Sequence, residues 1–175
     1  MTSLERVDPP LAGDERAILL GFFDYQRDTL RMKTAGLDAA QLEAALAPST
    51  MTLGGMLKHL AFVEHWWFEC VFLGEEYAEP WASVDWKDDA DWDWHSATHD
   101  TPEELRAMLD RACAASDTVL SATADLGALS KRTSRRRADE RFSLRWIMAH
   151  MIEEYARHNG HADLIRESID GESGE

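Results

Sequence analysis

A chain of 175 residues, 45% hydrophobic and 29% charged, has the length of one domain with its own core and the composition of a soluble globular protein. Its formal net charge of -15 argues against nucleic acid as a partner and against docking on anionic membranes, both of which need a basic face. No apolar run approaches the ~20 residues of a membrane span, and the polar start MTSLERVDPP has no signal-peptide core. Cys70 and Cys113 stand without CxxC spacing, so a cytoplasmic protein with two packed, reduced thiols is expected.

Residues 1–13 form an N-terminal arm or surface strap, and a single domain is expected over residues 14–171, with a short tail at 172–175. From Asp14, Ile18, Leu19, Phe22, Phe23 and Leu30 recur at helical spacing, and Gly36 is a plausible stop. LDAAQLEAALAPS reads as a short helical turn closed by Pro48. A second long helix should begin near Thr52, capped by Ser49, Thr50 or Thr52, and run through LGGMLKHLAFVEHWWFECVFLG. Gly54 and Gly55 in its first turn are poor helix formers, but they permit close approach by a neighbour.

The following acidic stretch lacks any period and carries Trp81, Trp86, Trp92 and Trp94, so it is expected to fold back over the helices. Thr101, Pro102 and Glu104 then announce a third helix by a capping box with proline at its first position. Its inward stripe is Leu105, Met108, Leu109, Ala112, Ser116, Val119 and Leu120. After Gly127 comes the basic loop SKRTSRRRADER, and Ser143 caps a fourth helix that ends before Gly171. No segment shows clear strand alternation. The predicted fold is an all-α four-helix bundle with a long Trp-rich loop between helices 2 and 3.

Polar residues on the last helix carry the chemical signal. His150, Glu154, His158 and His161 fall within about 80° of one another around its circumference, at the edge of the apolar face. On the second helix His59 shares a side with Met56, Val63, Trp67 and Cys70, and should point inward. A lone inward histidine is most often a hydrogen-bonded core residue, and an E-x3-H pair occurs often on solvated faces. Taken together, Glu154 and His158 one turn apart, met by His59, make a two-imidazole, one-carboxylate set suited to a divalent cation with positions left open. Glu64 and His65 fall away from the His59 direction and are placed on the flank or surface. Lys131, Arg132, Arg135, Arg136 and Arg137 read as a solvated loop or as a place to recruit an anionic small molecule.

With these residues in view, the chain resembles the DinB/YfiT-like superfamily of metal-binding four-helix bundles, in particular an actinobacterial branch. The resemblance rests on LGGMLKHLAFVEHWW and LRWIMAHMIEEYARHNGHADLIRE and extends from about residue 14 to 170. It implies a metal triad of His59, Glu154 and His158, with glutamate in place of the more usual first histidine, as in the thiol-dependent maleylpyruvate isomerases of the superfamily. His161 stands where a glutamine is common, so His150 and His161 are orienting neighbours or an alternative ligand. The implied cofactor is a divalent metal, zinc first and Ni2+ or Fe2+ also suitable, with a low-molecular-weight thiol such as mycothiol as cosubstrate. The leading functional expectation is a metal-dependent thiol S-transferase acting on an electrophilic small molecule, with Trp67, Trp92, Trp94, Arg135 and Arg136 as the substrate mouth. Alternatives are a non-catalytic metal-binding or ligand-sensing bundle, a thiol-dependent isomerase, or a non-haem iron enzyme. Relatives often pair, which makes a homodimer an expectation of the resemblance.

Overall fold

Asp14 accepts a hydrogen bond from the Ala17 amide and so starts helix α1, Glu15–Thr34, in a computed structural model that describes residues 6–137 and 139–173. Residues 1–5 of the expected arm, Ala138 of the basic loop and residues 174–175 of the expected tail lie outside the described residues. Gly36, at φ 74°, supplies the left-handed turn that ends this segment. The preceding strand of chain straps across the helix. Arg6 lies over the Tyr25 ring at 4.6 Å, and a Cβ on Gly21 would come within 2.5 Å of Pro10.

Helix α2, Ala39–Leu42, is a single turn held by a capping box between Asp38 and Gln41. It stops well before Pro48. Thr52 caps α3, Leu53–Glu64, by accepting from the Gly55 amide. From His65 to Phe72 the same helix continues with π-helical hydrogen bonding. Both glycines are explained by neighbours: a Cβ on Gly54 would lie 3.2 Å from the Leu42 carbonyl, and one on Gly55 would lie 2.7 Å from Trp94.

The Trp-rich connection runs through a 3₁₀ turn at Trp81–Ser83, a short helix α4, Trp92–His95, which meets α3, and a second 3₁₀ turn at Ser96–His99. Helix α5, Pro102–Ala122, opens with the Thr101–Glu104 capping box. Helix α6, Leu144–Asp170, is capped by Ser143 and closed by Gly171 at φ 77°.

The expectation of no strand is corrected. Leu129–Thr133 (β1) and Arg141–Ser143 (β2) form an antiparallel hairpin, with Leu129 opposite Ser143 and Thr133 opposite Arg141. The ladder is irregular between these pairs. Ser130, fully buried, donates its hydroxyl to the Arg132 carbonyl and accepts from the Phe142 amide. Side-chain hydrogen bonding therefore replaces the apolar alternation that would have marked a strand.

The chain is mostly helical, with this small sheet at one end. α1 packs along α6, α3 packs along α5, and α3 also meets α6. Their shared core includes Phe23, Leu30, Met56, Leu60, Leu109, Ile147 and Met151. Among the described residues no helix is long and apolar enough to cross a membrane.

Candidate metal centre

α3 presents His59 toward α6, which carries Glu154 and His158 one turn apart. One ligand atom from each of the three lies within 4.8 Å of the other two. The His59 and His158 rings are 5.0 Å apart, edge to face. Glu154 Oε2 is 3.6 Å from His158 Nε2, and its other oxygen is 3.4 Å from His150 Nε2. The Glu154 carboxyl is held below its ordinary pKa, first by the hydrogen bond with His158, against an upward push from burial, and further by the adjacent imidazoles.

The donor chemistry fits a divalent cation. Around a tetrahedral ion with bonds near 2 Å, donors stand roughly 3.3 Å apart, a spacing that these three side chains approach. His59 Nδ1 lies 2.6 Å from Asp93 Oδ2. A carboxylate only accepts, so Nδ1 is the donor to Asp93, and Nε2 is the ring nitrogen that this bond leaves unused. His158 has one ring nitrogen, Nδ1, buried without a hydrogen-bond partner. Three half-buried donors of this kind, with no lysine or arginine among them, form a set that protein-only hydrogen bonding leaves incomplete.

Asp93 is the residue that sequence reasoning missed. It belongs to α4, which the aperiodic loop delivers against the start of α3. The next residue but one from Trp92, Trp94, stacks on His59 at 4.7 Å and stands 5.5 Å from His158. Gly55 is what lets Trp94 approach. Asp93 is one of five aspartates between positions 85 and 93, and nothing in its spacing marks it out.

His150 neighbours Glu154 and also Glu153, whose carboxylate is 3.3 Å from Nδ1. Its ring stacks on Trp146 at 5.0 Å and meets Trp67 edge-on at 4.9 Å. His161 is placed further off, its ring 6.2 Å from His158 and its Nδ1 buried without a partner. Trp67, Arg135 and Arg136 line a cavity that also reaches His150. Trp92 points elsewhere: Lys58 lies over its ring at 4.4 Å, and Trp81 and Trp86 pack against it.

The placement of Glu64 and His65 on a flank or surface is corrected, since both are buried. α3 is enclosed nearly all round, every residue from Leu53 to Lys58 being buried, so it has no free flank. Glu64 receives both Nε and Nη2 of the buried Arg27, at 2.7 and 2.9 Å, and the Tyr155 hydroxyl at 2.9 Å. His65 donates to Glu69 and accepts from the Ala78 amide, so both ring nitrogens have structural partners.

A mostly helical chain with two imidazoles and a carboxylate meeting between two helices defines a class of candidate metal-binding proteins. The comparison with known families is more specific. The sequence model of the family described as Mycothiol-S-transferase matches residues 18–171, and the chain belongs to that family. No curated protein matches it.

Proposed function

We propose that this chain is a divalent-metal-dependent S-transferase that joins a low-molecular-weight thiol, mycothiol in the first instance, to an electrophilic small molecule. We read its four long helices as one four-helix bundle of the DinB type. The observation that carries the reading is the convergence of His59, Glu154 and His158 from α3 and α6. A divalent cation held there, zinc first and Ni2+ or Fe2+ as alternatives, supplies Lewis acidity that favours thiolate over thiol.

The chain's own residues do the rest. Asp93 fixes the tautomer and direction of His59. Trp94 shields the two imidazoles from bulk water. His150 stands between Glu154 and the neighbouring cavity, where its ring helps to orient the Glu154 carboxylate. Trp67, Arg135 and Arg136 form the mouth through which the second substrate enters. Two unpaired, buried cysteines suit a reducing cytoplasm.

The test is to load purified protein with Zn2+, add mycothiol and an electrophile, and follow conjugate formation. Turnover should need the metal, cease with a chelator, and disappear in His158→Ala. Normal turnover by His158→Ala with no bound metal would rule the mechanism out. A second reading, a non-catalytic metal binder, is favoured by the nearness of His150 to Glu154, because a fourth protein ligand would close the coordination sphere. A loaded protein with no exchangeable water on its metal would support that reading instead.

A further inference from the structure

Next to the metal-ligand cluster, and sharing His150 with it, is a cavity of about 900 Å³ between the π-helical segment, the β1–β2 hairpin and the start of α6. Its interior is aromatic. Trp67 packs edge-on to Phe142 at 5.0 Å and against Trp146 at 5.2 Å, and Trp66 lies beside them. Its rim is basic, with five arginines and a single acid, Glu140, in a chain whose net charge is -15.

Two of those arginines are already committed. Arg132 binds the Glu75 carbonyl and the Glu76 carboxylate, and Arg137 pairs with Glu140. Among the described residues Arg135, Arg136 and Arg141 have no carboxylate partner, and Arg135 lies over the Trp66 ring at 5.2 Å. Three like charges on one short hairpin repel each other, and among the described residues none of the three is held in an ion pair. A bare inorganic anion would satisfy the arginines and leave the rings unused. An uncharged aromatic would do the reverse. A ligand that uses both is flat, aromatic and anionic, stacking on indole while guanidinium forks bind its acid group. The volume is within the ordinary range for a small-molecule site.

We propose that this cavity binds an aromatic carboxylate or sulfonate, and that this molecule is the electrophilic acceptor of the transfer. The acceptor role rests on the transferase reading; the binding does not. In the transfer, a sulfur electron pair forms the new C–S bond, and the leaving group departs with its bonding pair. The thiol proton is released to solvent.

The experiment titrates metal-free, full-length protein with 2-naphthoate and with its uncharged counterpart 2-naphthalenemethanol, by calorimetry. Naphthoate should bind about tenfold or more tightly than the alcohol, and weaken as salt is raised. Arg136→Ala/Arg141→Ala should cost naphthoate about tenfold while leaving the alcohol within about twofold. Trp67→Ala should weaken both, and Arg111→Ala on the exposed side of α5 should change neither. Equal affinity for acid and alcohol, no saturable binding, or an unaffected double-arginine variant would overturn the assignment. Because metal and thiol are absent, these outcomes are separate from failure of the transferase reading. That failure would show as no conjugate from zinc-loaded protein and mycothiol with either the anionic acceptor 4-chloro-3-nitrobenzoate or the uncharged acceptor 1-chloro-2,4-dinitrobenzene.

Discussion

At the scale of single residues, the contact that governs the candidate centre is the 2.6 Å hydrogen bond from His59 to Asp93. Removing the carboxylate charge weakens the orientation of His59 and its basicity without removing a ligand. Asp93→Asn should therefore retain one metal per chain at saturation but bind it about 10- to 100-fold more weakly, as read by competition with a chromophoric chelator. Unchanged affinity would mean that Asp93 does not orient a ligand. The cysteines have a different fate. Burial raises the Cys70 thiol to about 11 and the Cys113 thiol to about 12. At pH 8 the thiolate fraction of either is then no more than about one in a thousand. Iodoacetamide at that pH should leave both unmodified in folded protein and label both in urea, by intact-mass spectrometry. Rapid labelling of the native protein would refute their burial.

At the scale of elements, α3 is the helix on which most else depends, because it meets α5, α6 and the short α4 together. Gly55→Ala would place a Cβ 2.7 Å from the Trp94 ring, so α4 has to move, and Asp93 with it. A stability loss of about 1–3 kcal/mol by urea unfolding is expected, together with weaker metal binding. Full retention of both would show that the approach is not tight. Further along α3, Glu64 joins α1 to α6 through Arg27 and Tyr155. Among the described residues, Glu64→Gln leaves Arg27 with the exposed Asp24 and Asp117 as its remaining carboxylate partners and should cost about 3 kcal/mol or more. A melting temperature within a degree or two of the parent would contradict that role.

The legibility of these elements in the sequence follows their physics. Caps are local, so Asp14, Thr52, Thr101 and Ser143 could be read as helix starts from their own neighbours. The His150, Glu154 and His158 arc was readable because helical period alone puts those side chains on one side. The π-helical segment was not, since its wider winding leaves no mark on an apolar run such as HWWFECVF. Glu64 was misplaced because amphipathic reasoning assumes one free face, and an enclosed helix has none. Which of the five aspartates from 85 to 93 reaches His59 is decided by tertiary packing, and the hairpin depends on hydrogen bonds of a single buried serine.

At the scale of the whole molecule, two helix pairs, α1 with α6 and α3 with α5, meet where α3 faces α6, and the candidate ligands come from that seam. Arg27, Glu64 and Tyr155 tie the same helices together beside it, Tyr155 being the residue after Glu154. The hairpin and π-helical segment then add an aromatic, basic cavity to one side. A candidate ligand group and an aromatic, basic cavity thus adjoin each other in a molecule that is otherwise acidic. The most direct measurement is anomalous X-ray diffraction from crystals grown with Zn2+, supported by metal analysis in solution. The expected result is about one ion per chain between α3 and α6, in contact with His59, Glu154 and His158. An ion bound elsewhere, or these three side chains turned apart at saturating zinc, would contradict the account.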